Sequence, residues 1–566
     1  MSKKLFYMLI LFVSYAYTAN NSHAATINVS SLTALQTAVN NSNSGDIINL
    51  ANGHYTNCNL TISKSNITVQ AATAGGVFFD VTCTIKITGN NVIFGGFQFT
   101  ANVTANGTNT IAVNGNTNTI TQLNFNGYSA DHFLYITGQY NVVSYCNFQN
   151  KLAVMADKAG TGDMVQIIPN ATNPGYNVIR YCSFQHLPGM GGDYGNECIR
   201  IGNSTLSTFI SRTIVEYCYF EDTGLGDSET LSVKSRENIL RYNTMYNNPD
   251  AMFVFRRGDN NVAYGNFFIN SGGIRVKEAN NIFCYNNYFE KSGVGGTMNA
   301  VSYIYDTSNS TYVLDKINFI HNTFVDCGII DFGGTGATNG TWANNILKKT
   351  GTIFQNANAG TTFKGNIYSG TLGITIPAGM TNADPKLTLN TDGYYGLSAT
   401  SPAIDAANAT YPAILDIANT DDDPTLMFDI KGLPRPASAL LKDVGCEEYN
   451  ASGTILNRPL KLADVGPTYL KPLTTLINPT NNEFDFTILT YPTIRKLTII
   501  YNFSSESIVT LAIFNLNGIL VKSFKNNPVF TSEIQNGSFD ITDLKSGVYF
   551  VQLRAGNLSK VKKIIV

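Results

Sequence analysis

From about residue 46 onward, short runs of alternating apolar and polar residues are separated by turn residues, and one phrase recurs. It reads SYCNFQN at 144–150, RYCSFQH at 180–186, EYCYFED at 216–222, RYNTMYN at 241–247, YGNFFIN at 264–270, YNNYFEK at 285–291 and HNTFVDC at 321–327. A Cys or Asn marks each unit: Cys146, Cys182, Cys218, Asn243, Asn266, Asn287, Asn322, Asn345 and Asn366, at steps of 36, 36, 25, 23, 21, 35, 23 and 21 residues. A period of this size predicts a solenoid with one coil per repeat. The runs are rich in Val, Ile, Tyr, Phe and Thr, which predicts strands rather than helices. The expected fold is therefore all-β: a right-handed parallel β-helix whose Asn and Cys residues stack as internal ladders.

The flanks read differently. Ser31 precedes a helical spacing over residues 32–39, and a helix there would cover the open edge of the first coil. The coils are expected to run to about residue 380. A stretch rich in Pro and Asp, ending in DVGCEEY near 449, is expected to wrap over the last coil as a second cap. Residues 451–470 read as a linker. Beyond them come alternating segments such as KLTIIYNF, IVTLAIFN and GVYFVQL, with turn signals at Asn517-Gly518 and Ser546-Gly547. That pattern predicts a small C-terminal β-sandwich over 471–566.

At the start of the chain, Lys3 and Lys4 precede an apolar run from Leu5 to Val13, and Ser22-His23-Ala24 resembles a cleavage site. Residues 1–24 are thus expected to be a signal peptide, leaving a β-helix domain over 25–450. The run is short for a bilayer span and no other candidate follows, so no membrane span is expected in the mature chain. The net charge of −2 offers no global basic field for nucleic acid. Nine cysteines without a CxxC pair or zinc spacing read as small buried core residues.

Candidate chemistry concentrates in GNECIRIG (195–202), GDSETLSVKS (226–235) and VFRRGD (254–259). Asp227 and Glu229 are two residues apart, so on a strand they share a face about 7 Å apart. Neighbouring coils lie about 4.8 Å apart, which brings the Asn196 amide from one coil and Arg256 and Arg257 from another to the same patch. Two carboxylates and an amide oxygen suit a hard cation such as Ca²⁺. From Glu229 to Lys234 the step is odd, so a bulge or turn between Leu231 and Val233 is required to put both on one face. Taken without context, Asp227 and Glu229 also fit a solvated turn or an inverting glycosidase.

In order along the chain, SLTALQTAVNNSNSGDIINLANGHYTN, NECIRIG, SRTIVEYCYFE, GDSETLSVKS, ENILRYNT, GGIRV and CYNNYFE resemble polysaccharide lyase family 6, whose members cleave alginate or dermatan sulfate. The resemblance covers about residues 25–450. It implies Ca²⁺ on Asn196, Asp227 and Glu229, with Asp227 standing where Glu is common. It implies Lys234 as the base and Arg256, in preference to Arg257, as the acid of a β-elimination. Arg200, Arg257 and Arg275 are candidate carboxylate contacts, and His186 a further substrate contact, though each arginine reads equally as a coil-edge charge. His132 and His321 read as structural, and the run Asp421-Asp422-Asp423 as a solvated cap loop. The tail stretches FNLNG, DLKSGVYFVQL and KKIIV resemble the sorting domain of the type IX secretion system, which implies that machinery as a partner and a secreted or surface-held protein. Alginate is the expected substrate; a dermatan sulfate lyase, a non-catalytic polysaccharide-binding surface protein and a glycoside hydrolase are the alternatives.

Overall fold

The computed structural model describes residues 24–471, except 101–108, 153–161, 188–194, 225–227, 306–311, 335, 357–358, 409, 418–425 and 454, and of 472–566 the strands with a few residues between them. The expected leader, apart from Ala24, and the run at 421–423 lie outside the described residues. The chain divides into two compact units, Met1–Lys471 and Pro472–Val566.

The first unit is a right-handed parallel β-helix of about 13 turns. Among the described residues the strands of its coils form a 15-stranded sheet, from Thr26–Val29 to Thr361–Lys364, and a 24-stranded sheet that carries the other two faces of the coils. Alternation along each strand sends one set of side chains inward. Leu134, Val165, Ile199, Leu231, Phe253, Ile274 and Val301 pair coil upon coil and form one inward column. Phe125, Phe148, Phe184 and Phe220 stack as another, with centroids 5.0–5.5 Å apart.

The repeat markers do form ladders. The amide of Asn243 donates to Oδ1 of Asn266 at 3.0 Å, Asn266 to Asn287 at 2.9 Å, and Asn287 to Asn322 at 3.0 Å. Each Asn Oδ1 also accepts the backbone N–H of the preceding marker, so every buried polar atom of the slot is paired. The series continues backward as Cys218, whose N–H donates to Asn243 Oδ1 at 3.0 Å, and then Cys182 and Cys146. All nine cysteines are buried and free. The residue before the marker turns the corner with a left-handed backbone, φ 51–57° at Tyr145, Tyr181, Tyr217 and Tyr242. Tyrosine adopts that region at a cost, which is offset by ring stacking at 5.0–5.1 Å from coil to coil.

Helix Leu32–Asn41 begins where expected, with Ser31 Oγ accepting from Ala34 N–H, and its Leu35 and Val39 close the first coil. The far flank departs from expectation. The described residues of 384–449 do not simply close the last coil; they lie along the side of the stack. The reason is a column of outward apolar residues just after the markers: Phe267, Tyr288, Ile346 and Ile367 are covered by Tyr394, Ile430, Leu397, Ala403 and Val444. Residues 451–470, read as a linker, continue the same strap toward the first coils. Asn457 donates to Gly265 O at 2.8 Å, Gly466 N–H to Tyr181 O at 2.8 Å, and Thr468 N–H to Gln122 Oε1 at 2.7 Å.

The second unit is all-antiparallel among its described residues. A three-stranded sheet and a four-stranded sheet share a core that includes Leu497, Ile499, Leu511, Ile513, Phe539 and Val551.

Candidate active site

The site is built on adjacent strands of the 24-stranded sheet: Val165–Ile167, Ile199–Gly202, Glu229–Lys234, Met252–Arg256 and Ile274–Lys277. Outward positions follow the pairing: Gln166 beside Arg200, Arg200 beside Ser232, Ser232 beside Val254, and Val254 beside Arg275. Val233 pairs with Phe255, so the next residues, Lys234 and Arg256, sit on neighbouring coils.

The required break in alternation is present, one step earlier than expected. The register shifts between Glu229 and Leu231, not between Leu231 and Val233. Thr230 is the extra residue, held by a hydrogen bond to Thr223 at 2.8 Å. Leu231 and Val233 then face the core, and Glu229, Ser232 and Lys234 share the outer side. Ser232 Oγ donates to Glu229 Oε2.

Lys234 is buried, its Nζ 3.1 Å from Glu197 Oε1 and 3.8 Å from Glu229 Oε2. Arg256 Nη1 donates to Glu229 Oε1 at 3.2 Å. Glu197 lies under 3 % exposed, and burial, followed by the charge of Asp163, holds its carboxyl well above the usual range. Lys151, also buried, donates to Asp131 O at 3.1 Å and to Gly162 O; burial pulls its amine down to about 8. Arg200 Nη2 lies 2.6 Å from Asp163 Oδ2.

Of the nine residues singled out from sequence, the structure joins Lys234, Glu229 and Arg256 directly. Asn196 is buried, and its Oδ1 has no hydrogen-bond partner among the described residues. Such an orphaned acceptor fits a cation ligand. Asp227 lies outside the described residues. Arg275 donates to Ser228 Oγ at 3.1 Å and meets Met298 Sδ at 2.9 Å, so it ties down the segment that leads into Glu229. Arg257 turns away from this group: it pairs with buried Glu278 at 2.7 Å and lies over the Tyr312 ring at 4.7 Å. His186 sits on a half-exposed corner, 3.0 Å from Asp222. Glu197, Asp163 and Lys151 were not singled out from sequence; Glu197 stands inside NECIRIG, and that adjacency to Asn196 was its signal.

Residues 29–377 match the family model described as Chondroitinase B, and residues 491–566 match the Secretion system C-terminal sorting domain. The latter marks the chain for export to the cell surface or beyond. Among curated proteins none matches in sequence. Solved structures with the same fold include the PL6 family alginate lyase AlyGC, 22% identical over 69% of this chain with a TM-score of 0.60; this chain covers 60% of that one. A PL6 alginate lyase in complex with a trisaccharide is 16% identical, covering 66% of this chain and 91% of its own, TM-score 0.54. A mannuronic acid specific family 6 lyase from human gut microbiota is 21% identical, covering 61% and 86%, TM-score 0.54. With the family model spanning well over half of its length, the chain belongs to the Chondroitinase B family.

Proposed function

We propose that the protein is an exported polysaccharide lyase that cleaves a uronate polymer, with alginate the leading substrate, by β-elimination. The observation that carries this reading is the row Glu197–Lys234–Glu229–Arg256, a buried amine held between two buried carboxylates with a part-exposed guanidinium one coil away. Lys234 Nζ takes the C5 proton of the uronate. The C5–H electron pair becomes the C4–C5 double bond as the bond from C4 to the departing oxygen breaks. Arg256 donates to that oxygen. No water is consumed. Glu197 orients the Lys234 amine, and Glu229 orients Arg256.

Asn196, Asp227 and Glu229 would hold Ca²⁺, and the orphaned Asn196 oxygen supports that assignment. A bound Ca²⁺ supplies neutralisation of the uronate carboxylate, which makes the neighbouring C–H more acidic. Arg200 is assigned to substrate carboxylate binding, and the type IX machinery is the proposed export partner. The leader at 1–24 is proposed to begin that export. The family model's description favours dermatan sulfate as the second substrate to test.

The test is incubation of purified protein with alginate, and separately dermatan sulfate, while following ultraviolet absorbance of the new double bond with and without chelator. Absorbance that falls with chelator supports the whole reading. New reducing ends without absorbance mean hydrolysis. Neither signal, with polymer still bound, means a non-catalytic surface protein.

A further inference from the structure

On the side of Lys234 toward the first coils, the floor carries a second polar assembly, built around Arg200, that takes no part in the proton transfers. It spans four coils. Asn109 pairs with His132 at the start of strand His132–Ile136, and His132 Nδ1 lies 2.9 Å from Asn109 Oδ1. With its amide nitrogen turned to the ring, Gln166 donates to His132 Nε2 at 2.8 Å. Its oxygen then accepts from Arg200 Nη2 at 3.1 Å and Nε at 3.2 Å. These partners define His132 as the neutral ring protonated on Nδ1. Asp163 lies 2.6 Å from Nη2 of the same guanidinium.

The assembly is enclosed: Asp163 and Gln166 are buried, and the Arg200 side chain is 15% exposed. A surface arginine covering apolar ground would keep its head in water; this one is clamped from two sides. Its Nη1 has no hydrogen-bond partner among the described residues, Glu197 Oε2 standing 4.0 Å away. One end of a rigid fork is thus fixed in protein and the other is left for an acceptor. Arg200 pairs with Ser232, two residues before Lys234 on the next coil. That offset is about 8 Å at the backbone, from coil spacing and strand rise. It suits the carboxylate of the neighbouring sugar rather than that of the sugar being deprotonated.

We propose that Asp163, Gln166 and His132 are positioning residues that aim Arg200, assigned above to a substrate carboxylate, at the uronate next to the one deprotonated. This rests on the lyase reading above. It predicts that the groove selects acidic over neutral sugars one unit away from the bond cleaved.

The experiment compares full-length wild type with Gln166→Leu, which keeps bulk but loses both amide contacts. Turnover of alginate is measured, along with calorimetric binding of an alginate hexasaccharide and its carboxyl-reduced counterpart. The expected result is a KM raised about tenfold with kcat within twofold, and weaker binding of the acidic hexasaccharide only. Unchanged KM and binding overturn the proposal while leaving the lyase reading in place, and so does a fall in kcat at constant KM. If wild type shows no elimination but Gln166→Leu still weakens acidic binding, the lyase reading falls and the aiming of Arg200 stands. If wild type neither binds nor cleaves, both fall. Should Gln166→Leu fail to fold, Arg200→Lys keeps the charge without the fork; it must show the same KM shift, and wild-type KM in that variant overturns the proposal.

Discussion

Nζ of Lys234 lies 3.1 Å from Oε1 of Glu197, and both groups are buried. The contact joins two coils, because Ile199–Gly202 and Glu229–Lys234 are paired strands. An amine in that setting has one strong partner and little water, so its direction is set before a sugar arrives. Lys234→Ala is expected to lower elimination on the order of 10³-fold, the usual scale for a general base, with an unchanged circular dichroism spectrum. Activity near wild type in a folded Lys234→Ala protein would remove the base assignment.

Arg256 and Arg257 are adjacent in sequence and differ in partner. Arg256 meets Glu229 at the site, whereas Arg257 is the counter-ion of buried Glu278. Arg256→Ala is expected to cost about 10²-fold or more in kcat, as when a transition-state donor is lost. Its melting temperature should change little. Arg257→Ala should behave the other way: it strands a buried carboxylate, a loss on the order of 3 kcal/mol, with kcat retained in the folded fraction. Parallel kinetics and urea titrations of the two variants separate the roles, and the same phenotype from both contradicts the assignment.

The Asn ladder offers a graded stability test. Asn266 accepts from Asn243 N–H and amide, and donates to Leu240 O and Asn287. Asn266→Ala leaves buried partners unpaired on the two flanking coils, and a loss of about 2–4 kcal/mol is expected. Asn270 makes a similar coil-to-coil bond, to Asn247 at 2.7 Å, but in contact with solvent. Asn270→Ala should cost only about 1 kcal/mol, most of it from placing alanine at a φ of 50°, since water replaces the lost partner. Equal losses in urea unfolding would contradict burial as the source of the ladder's strength.

Much of this was legible in the residues, and the exceptions have physical causes. The marker spacing sufficed for the coils because one slot per coil must be small or self-pairing, as Cys146 and Asn266 are. The meeting of Glu229, Lys234 and Arg256 was legible because coil spacing is nearly constant. The position of the parity break was not: Thr230 is stabilised by Thr223, seven residues back, and no periodicity reveals that bond. Asp163 lies in a lengthened coil where the period lapses, so nothing in spacing tied it to Arg200. The strap was hidden for another reason. Phe267 and Ile367 sit in slots that are polar in the early coils, as at Asn147 and Ser183, and the residues that cover them come from a different part of the chain.

The strap yields its own prediction at Tyr469. Its ring packs against Gly75, and its hydroxyl lies 3.3 Å from Gln122 O. Burial raises the phenol above its usual range. Tyr469→Ala removes a large part-buried ring more than 300 residues from the coils it covers, and a loss of about 2 kcal/mol is expected. Tyr469→Phe should recover most of it, since only a long hydrogen bond is lost. A melting temperature for Tyr469→Ala equal to wild type would mean that the strap adds nothing to the coils.

His132 gives the protein an acid sensitivity with a defined window. Burial, then the charges of Lys151 and Arg200, pulls its imidazole down to about 4; Asp131 and Glu197 oppose the shift. An unfolded imidazole titrates near 6.5. Between those values the unfolded chain binds more protons than the folded one, so stability is lost as pH falls through the window and is complete above it. Over the window from about 6.5 down to about 4, the loss reaches the order of 3 kcal/mol by pH 4. Protonation would also abolish the acceptor that Gln166 meets at Nε2. Urea unfolding of wild type and His132→Asn between pH 4 and pH 7 tests this. The variant, which carries no titrating ring, should be less stable at pH 7 yet show a shallower decline toward pH 4. Parallel curves would mean that some other group governs the acid limb.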